Sequence, residues 1–320
     1  MKIGLTSNHR YPARLFPVGD GGRAGARITD LLAKGLAELG HEVHYYVEHG
    51  FAAPPPAGAI PSARPFTSAD VMHLQHNTIG APVDPSWPPW VRTCHGDNAL
   101  RFGPVSDKLI FVSRTHAASH GRTRFVHNGI DPAEFIFSES KLDYFLFMCD
   151  LDRAIDKGLR VAVEATARAG AELVVAGKAG DPAAMQAVDE LCAAPHVRRA
   201  GEVRGSERAE LLAGARALLF PTQTNESFGL VMVEALVSGT PVIASNRGAC
   251  RELLDERTSF ICDTLDDYID AMSRTEAIAP RTCREKALRD YHYLRMAAGY
   301  AAEYERELDG ERAVDAEAFG

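Results

Sequence analysis

The chain has 320 residues, 46% of them hydrophobic and 24% charged, with a formal net charge of −8. That length is about two domains at roughly 100–200 residues each, and the composition is globular, which excludes disordered, collagen-like and coiled-coil classes. The acidic balance argues against a nucleic-acid partner held by phosphate attraction and against polybasic membrane docking.

In chain order, Ile3–Thr6 reads as a strand, and residues 24–39 as a helix with Ile28, Leu31, Leu32, Leu36 and Leu39 on one stripe. Gly40 ends that helix, where a residue without a Cβ takes the left-handed cap. Strands are expected at Glu42–Val47, Val71–Gln75, Val91–Cys94 and Leu109–Ser113, and this alternation implies parallel sheet covered by helices. The proline-dense stretches 51–66 and 81–90 read as loops. The turn signal Asn128-Gly129-Ile130-Asp131-Pro132, followed by polar Ser138–Asp143, marks a linker. The second half repeats the pattern. Strands are expected at Tyr144–Cys149, Leu173–Ala176, Ala217–Phe220 and Val242–Ser245, with helices at 158–169, 182–193, 206–214 and 230–238 and a helical stretch from Arg281 to Leu308. The six cysteines form no C-x-x-C pair and read as reduced, packed thiols of a cytosolic protein. The opening MKIGLTSNHR holds no apolar run of signal-peptide length, so the expected location is the cytoplasm.

Chemistry concentrates at Pro221–Arg251. A strand ending at Phe220 leads through Glu226-Ser227-Phe228-Gly229 into a helix starting near Leu230. The N–H groups of Gly229, Leu230 and Val231 then lie at the positive end of a helix, a natural anion site. Glu226 and Glu234, eight residues apart, would be separated by about 12 Å on a continuous helix, too far to share one glycosidic bond. With Glu226 in the loop and Glu234 on the second turn they straddle the anion site instead, and a carboxylate accepts a vicinal diol such as that of a ribose. On spacing alone the pair is equally an exposed helical glutamate and a loop acid.

The run ESFGLVMVEALVSGTPVIAS resembles the signature of the retaining glycosyltransferases of family 4, which have two glutamates separated by seven residues. Gly21-Gly22, Gly40-His41-Glu42-Val43, Val112-Ser113, His127-Asn128-Gly129-Ile130-Asp131, Asp156-Lys157-Gly158, Gly201-x-Val203 and Gly248-x-x-x-Glu252 follow the family's order over nearly the whole chain. The resemblance implies the α/β GT-B fold: two Rossmann-like domains facing across a cleft, one at 1–138 on the acceptor side, one at 139–291 for the donor, with a C-terminal helix, 292–320, returning to the first. It implies transfer of a hexosyl-type sugar from a nucleotide-diphosphate sugar (UDP-, GDP-, ADP- or dTDP-linked) to a hydroxyl acceptor, giving an α-linkage. Glu226 would hold sugar hydroxyls and Glu234 the ribose. The Ser227, Phe228, Gly229 and Leu230 backbone would hold the diphosphate, and Lys157 would neutralise it as it leaves. Gly21 and Gly22, Val203 and His95 would also touch substrate.

The family's arginine five residues before the lysine is replaced here by Asp152, and Arg153 is expected to do its work. Asp150-Leu151-Asp152 imitates a metal-binding Asp-x-Asp, but two nearby cations supply the same electrostatics, so no metal or other cofactor is expected. His41, His44, His73, His76 and His127 show no metal-ligand spacing. Tyr11–Val18, 51–66 and Trp87–Trp90 are candidate acceptor loops, and a small soluble acceptor is expected before a lipid; no nucleic-acid partner is expected. Two rival readings share the donor: a nucleotide-sugar epimerase of the same fold, and a non-catalytic nucleotide-sugar binder.

Overall fold

The computed structural model describes residues 1–7, 24–48, 50–51, 54–75, 83–96 and 106–318. Gly21, Gly22, Tyr11–Val18 and His76 lie outside them. The chain forms two units, each described by itself. One contains the described residues up to Asp131 together with those from Tyr291 onward, and the other is Pro132–Asp290.

In the first unit the elements are β1 (Lys2–Ser7), α1 (Ala24–Glu38), β2 (Glu42–Val47), β3 (Ile60–Ser62), β4 (Val71–Gln75), β5 (Trp90–Cys94), β6 (Leu109–Phe111) and α2 (Arg114–Ser119). The sheet is parallel, in the order β3-β2-β1-β4-β5-β6. β3 is a correction, because it falls inside the proline-rich stretch read as loop. Pro61 is tolerated there since β3 is an edge strand and needs no full ladder of donors. Ser113 belongs to no strand; its hydroxyl caps α2 by accepting from the His116 N–H at 3.0 Å.

The second unit runs β7 (Phe145–Met148), α3 (Leu159–Ala169), β8 (Leu173–Ala176), α4 (Pro182–Cys192), β9 (Val197–Gly201), α5 (Gly205–Gly214), β10 (Ala217–Phe220), α6 (Leu230–Val237), β11 (Val242–Ser245), α7 (Cys250–Leu253), β12 (Ser259–Cys262), α8 (Leu265–Ser273) and α9 (Pro280–Tyr291). Its parallel order is β12-β11-β10-β7-β8-β9. In both units the strands lie 3-2-1-4-5-6 counted along the unit, the doubly wound arrangement. Phe145, Phe147, Leu173, Val175, Leu219 and Ile243 fill the core between the second sheet and its helices. A buried Phe or Leu of this kind contributes about 1.5–3 kcal/mol. α6 is different: from Met232 to Val237 every residue is buried, so it is an internal helix rather than an amphipathic one.

α10 (Tyr293–Ala318) carries the chain back onto the first unit. Gly35 of α1 packs so tightly on it that a Cβ there would stand 2.8 Å from the Ala297 Cβ. The Tyr293 hydroxyl donates to Glu38 at 2.7 Å. The expected single helical stretch is interrupted at His292, where Ile130 bonds on both sides: its N–H to the Tyr291 carbonyl at 2.8 Å, its carbonyl from the Tyr293 N–H at 3.0 Å. The Asn-Gly-Ile-Asp turn is thus a structural joint. Its Gly129 lies against the Tyr293 backbone, and its Asp131 pairs with Lys34 at 2.7 Å.

Among the described residues no helix is long and apolar enough to cross a membrane. All six cysteines are unbridged. Burial pushes the thiols of Cys149, Cys250, Cys262 and Cys283 up to about 12. With thiolate the reactive form, those four are expected to stay silent to a disulfide reagent at pH 8, and all six to react in guanidinium. Prompt labelling of these four in the native protein would contradict the packing described.

Candidate functional site

In doubly wound sheets the crevice opens beyond the carboxyl ends of the strands, where neighbouring connections run to opposite faces. In the second unit that point lies between β7 and β10. Lys157 follows β7 and Glu226 follows β10, and their side chains form an ion pair. Each is only 13–15% exposed. The Lys157 ammonium also stands 5.7 Å from the Phe220 ring centre, within cation–π range.

The two loops are held together by backbone. The Gln223 N–H donates to the Asp156 carbonyl at 2.7 Å. Gly158, at φ 86°, lets the Pro221 carbonyl approach to a point 1.9 Å from where a Cβ would be. Glu226 is gripped from the other side as well: the Ala249 N–H donates to its carbonyl at 2.8 Å, and Gly248, at φ 55°, leaves room for its backbone. The glycine of the Gly248-x-x-x-Glu252 motif therefore serves the glutamate of the signature. Ser245 adds a third tie, donating to the Thr222 carbonyl at 2.8 Å.

Gly229 caps α6, whose first backbone bond runs from the Met232 N–H to the Gly229 carbonyl at 2.9 Å. The N–H groups of Gly229, Leu230 and Val231 precede that ladder at the positive end of the helix. Phe228 is buried, and Ser227 and Leu230 are half-buried. Glu226 lies three residues before the cap and Glu234 on the second turn, as the sequence reading expects.

Glu234 is buried and its carboxylate is paired with Arg208 of α5. Sequence reading missed Arg208, because nothing local links it to a residue 26 positions away. Val203, also buried, lies in the turn leading into α5. A buried carboxylate deprived of its cation costs about 3–5 kcal/mol. Arg208→Leu is therefore expected to destabilise the unit as well as loosen Glu234, and urea unfolding monitored by circular dichroism checks it.

Arg153 accepts through its carbonyl from the Lys157 N–H at 2.9 Å. Its side chain is half-exposed at the end of a short 3-10 turn, 4.0 Å from Asp156. Asp152, the residue that displaces the family arginine, has its own task. Its carboxylate accepts from the N–H groups of Asp181 and Gly180, at 2.9 and 2.8 Å, at the start of α4. Those bonds hold its carboxyl below the usual range. Asp150 caps the same turn by accepting from the Asp152 N–H. Both acids of the Asp-x-Asp are thus engaged with backbone. Among the described residues no three His, Cys, Asp or Glu side chains gather as a metal site.

His95 belongs to the first unit, just beyond β5, and bonds through Nε2 to Gln75 Oε1 at 2.5 Å. Gly21 and Gly22 lie outside the described residues.

Two doubly wound units in one chain are the architecture of the GT-B class of fold. Comparison with solved structures agrees: the chain superposes on AviGT4, a glycosyltransferase involved in avilamycin A biosynthesis, with a TM-score of 0.77 over 97% of this chain and 98% of that one, at 23% identity. Anabaena HepE in complex with UDP and glucose gives 0.66 over 96% and 100%, at 16% identity. Residues 143–276 match the family described as Glycosyl transferases group 1, so this stretch, in the second unit, is a domain of that family. A phosphatidyl-myo-inositol mannosyltransferase of Mycolicibacterium smegmatis is 30% identical over 155 residues, 44% of this chain and 39% of the relative. The chain spans between 32% and 40% of the length of the first curated relatives it matches.

Proposed function

We propose that the protein is a retaining glycosyltransferase that moves a hexosyl group from a nucleotide-diphosphate sugar to a hydroxyl acceptor, leaving an α-linkage. The observation that carries this reading is the Lys157–Glu226 pair, set at the crevice of the second sheet just ahead of the α6 N-terminus. The diphosphate lies on the N–H groups from Ser227 to Leu230, where the helix dipole favours an anion. Glu226 receives sugar hydroxyls, Glu234 receives the ribose, and Val203 lines the same pocket. Lys157, with Arg153 as second cation, stabilises the charge that grows on the departing diphosphate. His95, Gly21 and Gly22 are further proposed substrate contacts. Attack comes from the face the diphosphate leaves: the anomeric C–O bond to phosphate breaks, the bond to the acceptor oxygen forms, and the acceptor proton passes to a phosphate oxygen. The protein's work is then orientation and charge stabilisation.

The group 1 family match and the HepE complex with UDP and glucose support a nucleotide-sugar donor. For the acceptor we keep a small soluble hydroxyl compound and a cytoplasmic setting. The relative named for phosphatidyl-myo-inositol makes inositol-bearing acceptors the first class to assay. The test is thermal stabilisation by UDP-, GDP-, ADP- and dTDP-sugars, followed by NMR of the product's anomeric configuration. A sugar nucleotide at a hundred times its Kd stabilises by about 2.7 kcal/mol. Stabilisation by none of the four, or a β-product, overturns the reading. Because Lys157 and Arg153 carry the charge, turnover is expected to persist in excess chelator; loss restored by manganese would refute that part.

A further inference from the structure

The first unit contains a buried chain of polar side chains that its sheet does not need for packing. His73 and Gln75 point to one face of β4, and Thr93 of β5 joins them; Tyr300 and Tyr304 reach them from one face of α10. All five are fully buried. The His73 ring bonds through Nδ1 to the Tyr304 hydroxyl at 2.6 Å and through Nε2 to the Thr93 hydroxyl at 2.8 Å. The Tyr300 hydroxyl stands 2.9 Å from the same Thr93 oxygen. The Gln75 amide nitrogen lies 3.2 Å from both His73 Nε2 and Thr93 Oγ1, and its amide oxygen meets His95 Nε2. Of these six side chains only His95 is partly exposed.

Burying polar groups costs free energy unless each finds a partner, and here each of the five does. What the network adds is direction. Gln75 has one donor end and one acceptor end. With its nitrogen turned to Thr93 and His73, its oxygen is presented to His95 and accepts a hydrogen bond from the Nε2–H. We infer that Gln75 is a positioning residue that fixes the tautomer and direction of the His95 imidazole, itself anchored through His73 and Thr93 to the two tyrosines of α10. For activity this inference rests on the proposed placing of His95 in the substrate site; for structure it does not.

The experiment combines ¹⁵N NMR of the imidazoles with kinetics on the full chain. In the wild type His95 is expected as the Nε2–H tautomer. In Gln75→Leu that preference is lost and kcat falls about tenfold, while the donor KM changes less than twofold. In the double variant with His95→Ala the loss is no greater than for His95→Ala alone, since Gln75 acts only through the histidine. Gln75→Glu, which keeps an acceptor of the same length against Nε2, retains the tautomer and restores kcat. It also carries the test if leucine loosens the unit. Tyr304→Phe is the remote probe, with His95 resonances expected to shift although the two residues share no bond. An unchanged His95 spectrum in Gln75→Leu overturns the inference, and so does an additive double variant. Full activity of His95→Ala would sink instead the placing of His95 in the site, leaving the spectrum to decide the role of Gln75.

Discussion

Lys157→Ala and Glu226→Gln are each expected to lower turnover at least about a hundredfold, a loss of about 2.7 kcal/mol in transition-state stabilisation. Lys157 removes the point cation that faces the departing diphosphate. Glu226→Gln keeps shape but removes the negative charge that holds the ammonium in place, so each variant disables part of the other's role. The double variant should therefore be little worse than the more damaging single one. The stability cost is of similar size, about 1–3 kcal/mol for leaving a largely buried polar group without its partner, and the fold is expected to survive it. Steady-state rates with circular dichroism as control decide the matter; near-normal turnover in both variants would remove the ground for the proposed activity.

Gly158→Ala should be the most damaging single-methyl change near the site. At φ 86° an alanine already carries about 1–2 kcal/mol of strain. Its Cβ would also stand 1.9 Å from the Pro221 carbonyl oxygen and 2.7 Å from the carbon, both backbone, so no side chain can turn away. A total of about 3 kcal/mol or more implies a Tm fall of roughly 6–12 °C for a unit of this size. Gly170→Ala is the control. It has φ 64° but nothing within 4 Å of the added carbon, so it pays strain without collision. The difference in Tm between the two isolates the contact that brings Lys157's loop against Glu226's. Equal Tm values would mean that this contact does not hold the loops.

Central strands were legible in the sequence because they are buried on both faces and read as short apolar runs: Phe145–Met148, Leu173–Ala176, Ala217–Phe220 and Val242–Ser245 all lie inside their sheet. The strands that escaped notice, β3, β9 and β12, are all edges. β9 carries the exposed Arg198 and Arg199 and buries none of its residues fully, so no apolar pattern announces it. The signature loop and helix were readable for a different reason: caps, glycines and acids at fixed spacing have local causes. Arg208 and Gln75 had no local cause. Each matters through a partner that only folding brings near, Glu234 for one and His95 for the other. Asp152 shows the same limit. Its value lies in two N–H groups at the start of α4, nearly thirty residues on.

The return of α10 to the first unit has a consequence for biosynthesis. As the nascent polypeptide emerges, Pro132–Asp290 is contiguous and has all its own strands and helices in hand, whereas the portion made earliest still lacks Tyr300 and Tyr304. The ordinary N-to-C order of domain maturation is therefore expected to be reversed here. A released chain truncated before Tyr293 should protect Pro132–Asp290 from protease while the earlier-made unit stays open to cleavage.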